Sequence, residues 1–136
     1  SDEFTETISL TTLDSFVEKN KIKVGLLKID VEGHELSVLR GAKSFLNDQK
    51  PIVMFELLAE DVKNGNNSFE YLKSLGYTNF YEVKDGIVTY SKLKRLMYLF
   101  FGYEVGLVKF NSVESRTYNM ILATFWIGNW LTKHVT

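Results

Sequence analysis

The hydrophobic pattern changes period twice within the first third of the chain. Residues Val24 to Ile29, "VGLLKI", form an almost unbroken apolar run that ends at Asp30. Such continuity predicts a strand covered on both faces, as in a parallel sheet. From Gly33 to Asp48 the repeat becomes about 3.6, the period of a helix. Leu36, Leu39, Ala42, Phe45 and Leu46 share one stripe, with Glu35, Lys43 and Asn47 mostly outside it. Pro51 then starts "IVMFEL", a second apolar strand, and proline is tolerated at a strand's first residue. A crossover this long makes the two strands parallel and the connection right-handed.

The flanks extend the alternation. "ISLTTL", residues 8 to 13, reads as a short extended segment, and Asp14 is the expected cap of a helical turn ending near Asn20. "NNSFEYLKSLGY" predicts a helix capped by Asn67 or Ser68, with Phe69, Leu72 and Leu75 inward and Gly76 as its stop. "NFYEV" and "IVTY" flank Lys84-Asp85-Gly86, which predicts a hairpin. A helix is expected from Ser91 to Phe101, and "TYNMILATFW" as a last strand. The fold class is α/β, a mostly parallel sheet with a late antiparallel strand, and residues 1–136 form a single domain.

Composition narrows the function classes. The 136 residues are 45% hydrophobic and 14% aromatic, enough for a core, so global disorder is not expected. A net charge of -1 with mixed signs gives no basic face for nucleic acid. With no cysteine there are no disulfides, thiolate metal sites or cysteine nucleophiles. No uncharged apolar run reaches the roughly 18 residues that span a bilayer, and "SDEFTETI" lacks the basic and apolar regions of a signal peptide. The expectation is a cytoplasmic protein without a membrane partner.

Charge crowds the point where the first apolar run stops: Lys28, Asp30, Glu32 and Glu35. Residues two apart on a strand share a face, so Lys28 and Asp30 point the same way. A lysine in a two-sided strand needs a carboxylate partner. Glu56 ends the second strand as Asp30 ends the first. If the strands are neighbours, Asp30, Glu32 and Glu56 converge at the carboxyl edge, where open α/β sheets bind ligands. Gly33 opens the helix there and lets the backbone approach a guest, and His34 is a candidate base. Plainer readings stand beside these. Lys28 and one acid are also consistent with a buried structural ion pair, Glu32 and Glu35 with first-turn acids favoured by the helix dipole, and His34 with a solvent-exposed side chain. No G-x-S-x-G, P-loop or H-E-x-x-H motif occurs, and no metal site is assigned. Trp126 and Trp130 are spaced like one helical face, which suits packing.

Thr11 to Leu57, "TTLDSFVEKNKIKVGLLKIDVEGHELSVLRGAKSFLNDQKPIVMFEL", resembles the later half of FkbM-type S-adenosylmethionine-dependent methyltransferases. The shared pattern is a T-L-D segment, a K-I-D-V-E-G strand and turn, E-L-x-V-L-x-G-A on the next helix, and a glutamate near the end of the strand after a proline. It covers about a third of the chain, and the remainder, "FEYLKSLGY" included, carries no comparable signature. The resemblance implies the C-terminal half of a Rossmann-like methyltransferase fold and methyl transfer to an oxygen, usually a hydroxyl on a secondary metabolite or a sugar. Asp30, Glu32, Gly33 and Glu56 match its motif positions. His34 sits where several residue types are accepted. The implied catalytic set is Asp30, Glu32, His34 and Glu56, with Gly33 toward S-adenosylmethionine. The glycine-rich turn and ribose-binding acid that hold that cofactor in the family have no counterpart here, and no G-x-G occurs. A partial domain, inactive alone, is therefore expected. It should form a homo-oligomer or pair with the missing N-terminal half through the exposed edge of its first strand. The alternative is a non-catalytic binding or assembly module.

Overall fold

The computed structural model describes residues 8–65, 67–85 and 105–125. In chain order these form α1 (Leu13–Asn20), β1 (Leu26–Lys28), α2 (Glu35–Arg40), α3 (Lys43–Gln49), β2 (Ile52–Leu57), α4 (Ala59–Lys63), α5 (Ser68–Ser74), β3 (Asn79–Asp85), β4 (Val105–Phe110) and β5 (Tyr118–Thr124). The strands make one five-stranded sheet in the order β1-β2-β5-β3-β4.

The expected crossover is present. β1 and β2 are parallel neighbours, with Leu26 opposite Ile52 and Lys28 opposite Met54. The expectation of a mostly parallel sheet is corrected, because the other three pairings, β2 with β5, β5 with β3 and β3 with β4, are antiparallel. The cause is one insertion. β3 runs in the same direction as β1 and β2, but β5 returns between β2 and β3 and turns what could be a parallel pairing into two antiparallel ones. The late antiparallel strand is thus a central member of the sheet.

Alternation divides the sheet into two faces. On one, Val53, Phe55, Leu57, Phe80, Ile121 and Ala123 pack with Val17, Leu39, Phe45, Leu46, Phe69 and Leu72 from the helices. On the other, Met54, Tyr81, Leu107 and Leu122 are buried together, with Leu26, Ile52, Val83 and Met120 partly buried against them.

Local chemistry explains where helices start and stop. Thr12, not Asp14, caps α1, its Oγ1 accepting from the Ser15 amide at 3.2 Å. Asp14 instead reaches across and caps α3, its carboxylate accepting from the amides of Phe45 at 2.8 Å and Ser44 at 3.1 Å. The single helix expected over Gly33 to Asp48 is accordingly broken into α2 and α3. At the break the Gly41 carbonyl accepts from the Asp14 amide at 2.9 Å, and the side chain of Thr12 packs over Gly41. Asn67 caps α5 as expected, its Oδ1 accepting from the Glu70 amide. Gly76 ends that region at φ +89, and an added Cβ would stand 3.0 Å from the Phe125 ring.

Two further expectations change. β1 is shorter than Val24 to Ile29 and is the edge strand among the described residues, so Leu26 and Leu27 are only half-buried and Lys28 is exposed. Its two faces are covered only in part, Leu27 packing against the helix-side cluster and Leu26 against the other. Lys84 and Asp85 do not turn a hairpin. They continue β3, opposite Gly106 and Val105 of a strand that had not been anticipated. The segment "IVTY", the helix Ser91–Phe101, Trp126 and Trp130 lie outside the described residues.

Candidate functional site

Register brings the predicted acids to one place. Lys28 stands opposite Met54 on parallel strands and the Ile29 amide still donates to the Met54 carbonyl at 2.8 Å, so continuing this register carries Asp30 and Glu56 to the same carboxyl edge. Both belong to the face that carries Met54. The chain leaves β1 through a turn in which consecutive residues, Glu32 (φ 46) and Gly33 (φ 90), are left-handed. Such φ values are costly for a side-chain-bearing residue and natural for glycine. A Cβ on Gly33 would meet Leu58 Cδ1 at 3.8 Å, an ordinary contact. The glycine therefore answers a backbone requirement, and its neighbourhood offers no cradle that a side chain would fill.

Burial of Glu56, then repulsion from Glu35, Asp30 and Glu32 in that order, holds its carboxyl above the usual carboxylate range. The expected convergence of Asp30, Glu32 and Glu56 is visible at Glu56, which feels the charges of the other two. Lys28 sits on the same edge, its Nζ 2.9 Å from Asp30 Oδ2. That pair is not buried, since the side chains are 41% and 61% exposed, so it contributes at most about 1 kcal/mol. Asp30 remains open to a solvent-borne molecule. Among the described residues no three acids or histidines are arranged to hold a metal ion.

His34 occupies the N-cap position of α2, exposed, with no side-chain capping bond. It stands next to the rim in sequence but does not figure among the groups that shift Glu56. Glu35 is the residue whose role the pattern reading misjudged. It is not a solvated first-turn acid but is 4% exposed. Its Oε2 accepts from the Gly33 amide at 3.0 Å and its Oε1 from the Val31 amide at 3.3 Å. Spacing held the clue, because Glu35, Leu39, Ala42 and Leu46 fall on one helical stripe and the other three are fully buried.

A second charged centre, absent from the predicted set, lies on the helix-covered face. Glu82 is 9% exposed, and its two oxygens accept from Arg116 Nη1 at 2.7 Å and Nη2 at 2.8 Å. Lys84 Nζ stands 3.4 Å away. The Arg116 hydrogen bond, assisted by the charges of Arg116 and Lys84, holds the Glu82 carboxyl below its ordinary range against the opposing effect of burial. Arg116 also lies over the Tyr118 ring at 3.8 Å. An open groove of about 490 Å³ between α1 and α3, lined by Val17, Ile22, Phe45 and Gln49 among others, includes none of the rim acids.

As for S-adenosylmethionine, the rim supplies carboxylates and one lysine. The turn at Gly33 spends two of its amides on Glu35. With those amides committed and only Leu58 beside Gly33, this turn offers no cradle for the cofactor.

Comparison with known families matches the chain to the family described as Methyltransferase FkbM domain, over residues 1–78. That is more than half of the 136 residues and runs beyond Leu57 through α5, into the stretch that had shown no signature. No curated protein and no solved structure matches the chain. Among the described residues no helix is long and apolar enough to cross a membrane.

Proposed function

Because this chain belongs to the Methyltransferase FkbM domain family, with the methyltransferase fold and S-adenosylmethionine use that the family implies, we propose that the rim formed by Asp30, Glu32 and Glu56 is the acceptor side of an O-methyltransferase. The acceptor is a hydroxyl on a small secondary metabolite or a glycan. S-adenosylmethionine supplies the methyl group. The observation that carries the reading is the parallel pairing of β1 and β2 with Lys28 opposite Met54, a register that leads Asp30 and Glu56 to the edge at which open α/β sheets bind their ligands.

In this reading Asp30, exposed and already charge-balanced by Lys28, accepts the proton of the acceptor hydroxyl or polarises it by hydrogen bonding. Glu56, whose carboxyl is held in its protonated form to higher pH than an ordinary glutamate, donates or accepts a hydrogen bond and orients a polyhydroxylated guest. Glu32 projects from the strained turn and completes the rim. His34, exposed at the helix start, is a second candidate base. The test is transfer of labelled methyl from S-adenosylmethionine to pools of hydroxylated small molecules and oligosaccharides by the active enzyme. Asp30→Asn should lower transfer by about a hundredfold or more, the usual worth of a general base. Activity kept within a few-fold removes Asp30 from the chemistry.

A second proposal concerns partners. Among the described residues the outer edge of β1 is unpaired, and Ile8, Leu10, Ile22 and Val31 are exposed. We propose that this edge pairs with a further strand, from a second copy or another part of the same protein, because apolar strand edges recruit partners. A monodisperse monomer of the 136-residue chain at micromolar concentration in light scattering counts against it.

A further inference from the structure

The turn between β1 and α2 is held from beneath. Val31, Glu32 and Gly33 carry the chain over the carboxyl edge, Glu32 and Gly33 in left-handed conformations. Glycine makes the Gly33 step cheap, but the Glu32 step is disfavoured by its Cβ. The amides that bracket the strained residue are both taken by one carboxylate, with Glu35 Oε1 receiving Val31 N–H and Oε2 receiving Gly33 N–H. Glu35 is 4% exposed as a residue. A buried charge is retained where hydrogen bonds satisfy it, and backbone amides aimed at an anion are strong partners.

We infer that Glu35 is a positioning residue: its buried carboxylate clamps the Val31–Gly33 turn and so sets where Asp30, Glu32 and His34 stand on the rim. The inference rests on the reading of that rim as the acceptor side. It adds a residue that touches no acceptor and acts through backbone. It also explains why the acid sits on the apolar stripe of α2. Length, charge and two oxygens are all needed to reach both amides at once. Gln offers one acceptor oxygen and an NH2 that opposes the second amide, and Asp is one methylene too short.

The test compares Glu35→Gln and Glu35→Asp with the unaltered chain by amide hydrogen exchange and by NMR titration of the Glu56 side-chain carboxyl. Both variants should lose about tenfold or more of the protection of the Val31 and Gly33 amides, the worth of one hydrogen bond to a charged group. Amides in β2 and β5 should keep theirs. Glu35→Gln, which removes a charge, should also lower the Glu56 midpoint, whereas Glu35→Asp, which retains the charge, should lower it less. A purely structural acid would loosen the core and the turn together. Equal loss across turn and core, or unchanged Val31 and Gly33 amides in both variants, overturns the inference. If Glu35→Gln does not fold, Glu35→Asp decides the exchange arm by the same criteria. None of these readouts depends on methyl transfer. A clamp that holds while Asp30→Asn stays active would sink the acceptor-side reading alone, and a clamp that fails leaves that reading to its own assay.

Discussion

Glu56 and Glu82 are two glutamates on strands of one sheet, and their surroundings are opposite. Glu82 lies on the helix-covered face and is gripped by Arg116 at 2.7 and 2.8 Å, with Lys84 at 3.4 Å. Its carboxyl is held low. Glu56 lies on the other face at the carboxyl edge, where its charged neighbours are Glu35, Asp30 and Glu32, and its carboxyl is held high. One acid has been neutralised by the fold, as structural charges must be. The other has been left among like charges at an opening, a placement that costs stability and is common where a protein does chemistry.

The contrast can be broken most forcefully at Arg116. Arg116→Ala leaves Glu82 nearly buried with Lys84 still beside it, and should destabilise the chain by about 1–2 kcal/mol, between a buried and a surface pair because Arg116 is itself partly exposed. Chemical denaturation checks this, and a loss below about 0.5 kcal/mol would mean the pair is as weak as a surface one. Acid is the next lever. Because the folded Glu82 carboxyl titrates below its unfolded value of 4.5, its contribution is present above that value. It is lost as pH falls through the depressed folded value, and Arg116→Ala should flatten this part of the stability–pH curve.

Glu56 should behave with the opposite sign. Its folded carboxyl titrates above 4.5, so stability falls as pH rises from the unfolded value through the folded one. Glu56→Gln should therefore stabilise the chain at pH 7, by less than about 1 kcal/mol because the site is open to water. The gain should vanish below the unfolded value. Loss of stability at neutral pH would show that Glu56 makes favourable contacts that outweigh the repulsion. The smallest effect belongs to Lys28→Ala, within about 0.5 kcal/mol, as expected of an exposed pair.

Much of the β1 to β2 unit was legible in the sequence because its signals are local. Leu39, Ala42, Phe45 and Leu46 repeat at helical spacing and are all buried, and Pro51 precedes β2 as a proline can. The convergence of Asp30 and Glu56 followed from strand ends alone. What was not legible depends on distant partners. Asp14 looks like a cap for the helix it sits in, and only tertiary packing sends its carboxylate to α3, thirty-one residues from Asp14 at Phe45. The insertion of β5 between β2 and β3, which makes most pairings antiparallel, is a choice of neighbour that periodicity does not encode. β4 was missed although Leu107 and Phe110 face opposite sides of its sheet, because the glycine and lysine in "VGLVKF" dilute the alternation. The Glu82–Arg116 pair joins residues with no motif between them. Glu35 was readable, had its place on the buried stripe been weighed against its charge.

The account stands on the claim that acids at the tips of two parallel neighbours share one electrostatic rim. It is tested most directly by following the Glu56 side-chain carboxyl by NMR across pH in the unaltered chain and in Asp30→Asn. The account predicts a midpoint above that of an ordinary glutamate, and a lower midpoint once the charge on Asp30 is gone. A Glu56 that titrates identically in both chains would contradict it.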